Sequence, residues 1–312
     1  MNMLTTLVDG SCDRLAALLN TNSFIVRGTV ALILVSLVCG AVGSQVVGNR
    51  MAFFSDALAH SAFAGISLAL VTLLLSGVSD KDPMFEWFVP LFMAGFGTAV
   101  GIGIALVREK TALASDTVIG VFFAGALGIG VLTLGNMKLF TNMNPEVFLF
   151  GSTNSVRPVH IVLLLALALV TAIVLTWRYN QMVFASFNPS LARSRRIPVR
   201  LNNYLFIVLL ALIVNICLQV VGVILINAML LVPAATASLL SRNMRQMFWW
   251  TTSLSLFIGL LGQWVSLTVS PVTTHGTINL GASGCVILLN VLAFAVAMGV
   301  GPLIRGRQAK TL

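Results

Sequence analysis

The residues best placed to do chemistry are a carboxylate and an imidazole within one apolar run. In Phe53-Phe54-Ser55-Asp56-Ala57-Leu58-Ala59-His60 the two ionisable side chains stand four residues apart. On a helix that spacing sets them about 40° apart on one face, one turn from each other. Counted from Arg50 at the charged edge of the run, His60 lies about 15 Å deep, near the middle of a hydrocarbon core. Ionisable groups at such depth are expensive and point to function. Asp56 offers oxygen and His60 nitrogen, a mixed set that suits manganese, iron or zinc better than calcium or monovalent copper. The plainer reading is an Asp–His hydrogen bond that satisfies two polar groups in a bundle. Two donors leave a coordination sphere incomplete, so a second copy of the helix or other spans must supply the rest.

Other candidates carry less. Asn227 sits inside a later apolar run, placed to touch a pathway or to bond a neighbouring helix. Glu146 and His160 flank an outer loop and are candidate pathway residues, with surface placement the simpler reading; His275 lies in the last outer loop. Asp116 follows Ser115 at the start of a run, where a carboxylate favours a helix N-terminus. Asp80, Asp82 and Glu86 form an acidic loop of the kind usually solvated. Cys12, Cys39, Cys217 and Cys285 are scattered and have no metal or redox spacing. The chain has no phosphate-binding loop, no H-E-x-x-H and no G-x-S-x-G, so neither ATP binding nor hydrolase chemistry is expected of it.

The elements that must hold these residues are membrane spans. Of 312 residues, 58% are apolar and 9% charged, against about a quarter charged in soluble domains. Uncharged runs of roughly 20 residues recur along the chain, each able to cross as a helix, and the short alternating segments of a β-barrel are absent. The expected architecture is an all-α, polytopic transmembrane helical bundle. Spans are expected over 28–48, 52–76, 86–107, 116–135, 159–177, 202–221, 222–240, 247–269 and 279–303. The count is eight or nine, because only Gln219–Gly222 separates the sixth from the seventh. Residues 1–27 read as a partly amphipathic interfacial segment, 28–304 as the membrane domain and 305–312 as a basic cytoplasmic tail. The small residues Ala57, Ala59, Ser61, Ala62, Ala64 and Gly65 let the second span pack closely at the centre of a bundle or dimer.

The net charge of +9 is not a nucleic-acid signal, because the cations lie in loops. In a nine-span chain one side collects Arg50, Arg108, Lys110, Arg178, Arg193, Arg195, Arg196, Arg200, Arg242, Arg245, Arg305, Arg307 and Lys310. The other holds Arg14, Arg27, Lys81, Lys138 and Arg157. The positive-inside rule then places the C-terminus in the cytoplasm and the N-terminus outside. The segment Trp177–Leu201 is expected as a long basic cytoplasmic loop. The patch Val147–Phe150, followed by Gly151 and Ser152, is expected to dip back into the protein as a short half-helix.

Several segments resemble one family, in the same order and over nearly the whole chain. Arg50-Met51-Ala52-Phe53-Phe54-Ser55-Asp56-Ala57-Leu58-Ala59-His60-Ser61 resembles the RMAFLGDALSHA signature of zinc/manganese (ABC-3 type) ABC permeases. The run Gly222–Ala237 is similar to that family's GVLLVSALLVIPAATA, Asp116–Val121 to its DTAIGI, and Phe150-Gly151-Ser152 to its FGS. The resemblance implies a fold related to the vitamin B12 and siderophore importer permeases. It also implies a permease dimer, homodimeric or with a related permease, driven by cytoplasmic ABC ATPases and fed by an extracytoplasmic metal-binding protein. In that family the Asp and His of the signature line the metal path, which maps them onto Asp56 and His60. The family's FDPEFA segment contacts the ATPase; here it reads Phe187, Asn188, Pro189, Ser190, Leu191, Ala192, followed by Arg193, so both acids are replaced. The loop 270–280 is longer than the family's usual turn.

The reading that follows is a permease subunit, not an enzyme, in the cytoplasmic membrane. It moves a divalent ion (Mn2+, Zn2+ or Fe2+) by alternating access and binds no permanent cofactor. A siderophore or cobalamin permease is the nearest rival, but bulky cargo does not call for an Asp–His pair. A stand-alone secondary transporter is the other alternative, disfavoured by a basic, proline-bearing segment built for a cytoplasmic partner.

Overall fold

The computed structural model describes residues 2–19, 21–77, 83–111, 113–140, 151, 156–269, 272–273, 276–277 and 281–309. It is helical throughout, apart from two paired two-residue strands, β1 (Val272–Thr273) and β2 (Gly276–Thr277). The helices are α1 (Asn2–Leu19), α2 (Ser23–Gly48), α3 (Ala52–Leu75), α4 (Pro83–Lys110), α5 (Ser115–Phe140) and α6 (Pro158–Phe187). There follow α7 (Pro189–Ser194), α8 (Val199–Val221), α9 (Val223–Leu240), α10 (Met244–Thr268) and α11 (Ala282–Ala309).

Eight of the described helices are both long and apolar enough to cross a membrane: α2, α3, α4, α5, α6, α8, α9 and α11. The less apolar α10 is 25 residues long, about 37 Å at helical rise, and packs along α2, α9 and α11. Its polarity faces inward. Thr251, Ser255 and Gln263 are buried, and the Ser255 hydroxyl donates to the Ser36 carbonyl of α2 at 3.0 Å. Hydroxyls that bond a neighbouring backbone are tolerated in spans, where they hold helices together.

Span ends differ from expectation where apolar character and helicity part company. The run from Arg178 to Phe187 is polar, yet nothing in it breaks a helix, and α6 continues to the edge of Pro189. Asn188, the residue before proline, leaves the helical region (φ −142°, ψ 85°). The expected loop Trp177–Leu201 is therefore mostly helix: the end of α6, then α7, then the start of α8 at Val199. Likewise α2 starts at Ser23, ahead of Gly28, and α11 runs on through Arg305 and Arg307 to Ala309 where a tail was expected. The expected half-helix Val147–Phe150 lies outside the described residues.

The break between the sixth and seventh spans is one residue wide. Gly222 adopts φ 83° and ψ 164°, a region essentially closed to other residues, and so separates α8 from α9. Gly151, also at positive φ, seats directly against this break, and a Cβ there would collide with the backbone of Val221. Gly151 thus packs against the bundle where α9 begins. Close packing recurs at the centre, where a Cβ on Gly40 would lie 2.8 Å from the Thr252 Cα of α10. The most buried helices are α2, α3 and α8, whereas α5 and α11 leave most of their surface open. α3, the carrier of Asp56 and His60, is enclosed by α4, α5, α8 and α9.

Candidate functional site

The interior position of α3 follows from its small residues. Ala57, Ala59, Ser61, Ala62, Ala64 and Gly65 are all buried, and the Gly65 Cα comes close to α4: a Cβ there would stand 3.2 Å from the Met93 Cα. The buried hydroxyls on α3 are satisfied within it, Ser55 by Ala52 O at 2.7 Å and Ser61 by Leu58 O at 2.7 Å. The polar groups left to face other elements are Asp56 and His60.

Asp56 and His60 meet as the spacing predicts, with His60 Nε2 3.7 Å from Asp56 Oδ1. That exceeds a hydrogen bond, so the pair is adjacent without being locked together. Their side chains remain 44% and 28% exposed respectively, which leaves the donor atoms reachable. The edge of Phe123 on α5 packs against the His60 imidazole, ring centroids 4.9 Å apart at 78°. Phe123 has no signal in the sequence that marks it out from other apolar residues of α5.

A third residue closes on this pair from another helix. Asn227, on the second turn of α9, donates from Nδ2 to Asp56 Oδ1 at 2.6 Å. Its own carbonyl oxygen Oδ1 is buried and has no hydrogen-bond partner. The three side chains together offer a carboxylate, an imidazole nitrogen and an amide oxygen, drawn from helices 171 residues apart in sequence. All are hard or borderline donors of the sort divalent first-row metals accept. Among the described residues no group of three or more His, Cys, Asp or Glu forms a self-contained metal cage, which leaves the remaining coordination open.

The other candidate residues stand apart. His160 serves the start of α6: its Nδ1 accepts from the Arg157 backbone N–H at 3.4 Å, and Arg157 pairs with Glu86 of α4 at 3.0 Å. Glu146 and His275 lie outside the described residues. Asp116 falls in the first turn of α5.

Within the segment 187–193, Phe187 ends α6, Asn188 is the cap and Pro189–Arg193 lie in the short helix α7. Asn188 caps it, its side-chain oxygen accepting from the Leu191 N–H at 3.2 Å and from the Ser190 hydroxyl at 2.7 Å. Asparagine caps a helix as well as aspartate does, so the change from the acidic family pattern alters charge while the local turn is kept. Ala192 is wholly buried, and the Arg195 guanidinium lies over the Phe184 ring at 5.9 Å. Arg193 ends the helix with a positive charge.

The family model described as ABC 3 transport family matches residues 21–300. The chain belongs to the ABC 3 transport family. This ABC 3 permease is 26% identical over 300 residues to the manganese import system permease protein ScaB of Streptococcus parasanguinis, covering 96% of each chain. Among solved structures it resembles PsaBC from Streptococcus pneumoniae in complex with Fab. The TM-score is 0.75 at 24% identity, over 94% of this chain and 97% of that one. It also resembles an ABC transporter assigned to the metal-chelate type, in an inward-facing conformation. There the TM-score is 0.65 at 14% identity, over 87% and 84% of the two chains. The expected helical importer-permease fold is thereby established. The chain is a multi-pass membrane subunit of an ABC importer, a class of subunit that works with ATPase and binding-protein partners.

Proposed function

We propose that this permease carries a divalent transition metal ion along a path on which Asp56, His60 and Asn227 form a transient binding station. The observation that carries the reading is the junction of α3 and α9, where the Asn227 amide holds the Asp56 carboxylate at 2.6 Å beside His60. Two partly exposed donors beside a buried amide oxygen, with the rest of the sphere open, bind an ion in passing and release it. ScaB's role in manganese import supports the same cargo class, and N/O ligation admits Mn2+, Zn2+ or Fe2+ alike.

A delivery protein outside hands the ion to this station. His160, and Glu146 by its position in the sequence, are proposed as approach residues from the outer side. ATP-driven closure of the partner ATPases acts through residues 187–198, Arg193 included, and opens the inner side. Two permease chains, identical or related, pair to complete the path, in the cytoplasmic membrane with the C-terminus inside and the N-terminus outside. Arg50, Arg108, Lys110, Arg193, Arg195, Arg196, Arg200, Arg242 and Arg245 lie in the α2–α3, α4–α5, α6–α8 and α9–α10 connections or in the helix turns beside them, which supports that orientation. The reading is tested by ATP-driven uptake of radiolabelled Mn2+ in proteoliposomes holding the complete transporter, with Zn2+ and Fe2+ as competitors. Saturable uptake with competition supports it; uptake of an intact metal chelate in place of the free ion would replace it with the siderophore-type reading.

A further inference from the structure

At the basic end of the bundle, the α2–α3 turn, the end of α4, the last turns of α6, Arg193 of α7 and the first turns of α8 line a half-open cavity of about 640 Å³. Gln45, Arg50, Arg108, Glu109, Arg200 and Asn202 line it. Its single carboxylate is already matched: Glu109 accepts from Arg200 Nε at 2.7 Å and from the Tyr204 hydroxyl at 2.9 Å. Among the described residues no carboxylate lies within ion-pair distance of Arg50 or Arg108. The cavity therefore carries an unbalanced positive charge.

Two further side chains are unsatisfied. Gln45 and Asn202 are each only 2% exposed, and in both the amide nitrogen and the amide oxygen lack any hydrogen-bond partner. Buried polar groups left unpaired cost about 1–3 kcal/mol each, and they seldom gather on the wall of one cavity without cause. An occupant that suits these walls has anionic oxygens for the guanidinium forks. It also has hydroxyls that satisfy the two amides once these side chains, whose polar atoms are buried in the wall, turn towards the space. Met51, Met182 and Phe206, all buried, line the same space and add an apolar surface.

We propose that this cavity binds a phosphodiester anion bearing hydroxyl groups, of the kind that the headgroup of an anionic phospholipid presents. Basic pockets between membrane helices at the cytoplasmic side take such headgroups, and the mixed cationic, amide and apolar lining matches an amphiphile better than it matches a bare ion. The site lies apart from the Asp56–His60–Asn227 station and does not depend on which metal is carried.

The test uses the detergent-solubilised full chain and follows its thermal unfolding and its native mass spectrum. The probes are dioctanoyl phosphatidylglycerol, dioctanoyl phosphatidylcholine and inorganic phosphate. Phosphatidylglycerol should raise the unfolding temperature and remain bound, while phosphatidylcholine should do neither. Inorganic phosphate that stabilises as strongly as the lipid assigns the site to free phosphate; stabilisation by the lipid alone assigns it to the headgroup. Arg108→Gln, at an exposed helix end, should weaken phosphatidylglycerol binding at least tenfold. Gln45→Met, which removes an unsatisfied amide, should raise the unfolding temperature of the lipid-free chain and shrink its response to lipid. Equal binding of the two lipids, or unchanged binding in Arg108→Gln, overturns the proposal. So does displacement of phosphatidylglycerol by the partner ATPase, which would make the cavity a socket for acidic side chains.

Discussion

Substitution Asn227→Ala probes the junction on which the metal station rests. It deletes the amide that donates to Asp56 Oδ1 at 2.6 Å and removes the free carbonyl as a third donor. A hydrogen bond to a charged group contributes about 1.5–3 kcal/mol. With the Asp56 side chain 44% exposed, water takes over part of the lost bond and the lower end applies, about 1.5 kcal/mol. That is about a tenfold loss of affinity at about 1.4 kcal/mol per decade. The free chain should lose little stability, because a half-exposed carboxylate is rehydrated rather than stranded. The assay is Mn2+ uptake against concentration in proteoliposomes with the partner ATPase, beside thermal unfolding of the same preparations. The expected result is a half-saturating concentration raised about tenfold with an unfolding temperature near that of the native chain. An Asn227→Ala transporter whose half-saturation stays within twofold of native would refute the three-residue station. Asn227→Asp sharpens the test: two carboxylates at hydrogen-bonding distance cannot both ionise easily, so its uptake should become more sensitive to acid.

Asn188→Ala removes the α7 cap and should lower helix stability by about 1 kcal/mol, read as reduced co-purification of the ATPase, whereas Asn188→Asp restores the cap. Gly151→Ala adds a Cβ to a residue at φ 70° whose site is filled by the Val221 backbone, a strain of at least about 1–2 kcal/mol that should appear as a lower unfolding temperature. A cysteine introduced at Ser194 should react with an impermeant thiol reagent only from the cytoplasmic side.

Much of the site was legible because its key feature is local. Asp56 and His60 share a helix, and four-residue spacing puts two side chains on one face whatever the fold. The interior position of their helix was legible too, from the small residues beside them. Asn227 could be marked as polar within a span, but its pairing with Asp56 crosses 171 residues and depends on how α3 and α9 pack. Phe123 is one of several phenylalanines, and only its place beside His60 distinguishes it. Span ends were less legible, because apolarity marks where lipid begins and helicity does not stop there: α6 and α11 extend through Arg178 and Arg305. Hydropathy also undervalues α10, whose Thr251, Ser255 and Gln263 point into protein. The single-residue break at Gly222 was visible as a change in composition, yet its role as a seat for Gly151 required the third dimension.

The most direct test of the central claim is ATP-driven Mn2+ uptake by the reconstituted transporter bearing Asp56→Ala or His60→Ala. Uptake reduced to background in both, with the ATPase still bound to the permease, is the predicted result. Uptake equal to native in either variant, with the complex intact, would mean that the ion travels by another route.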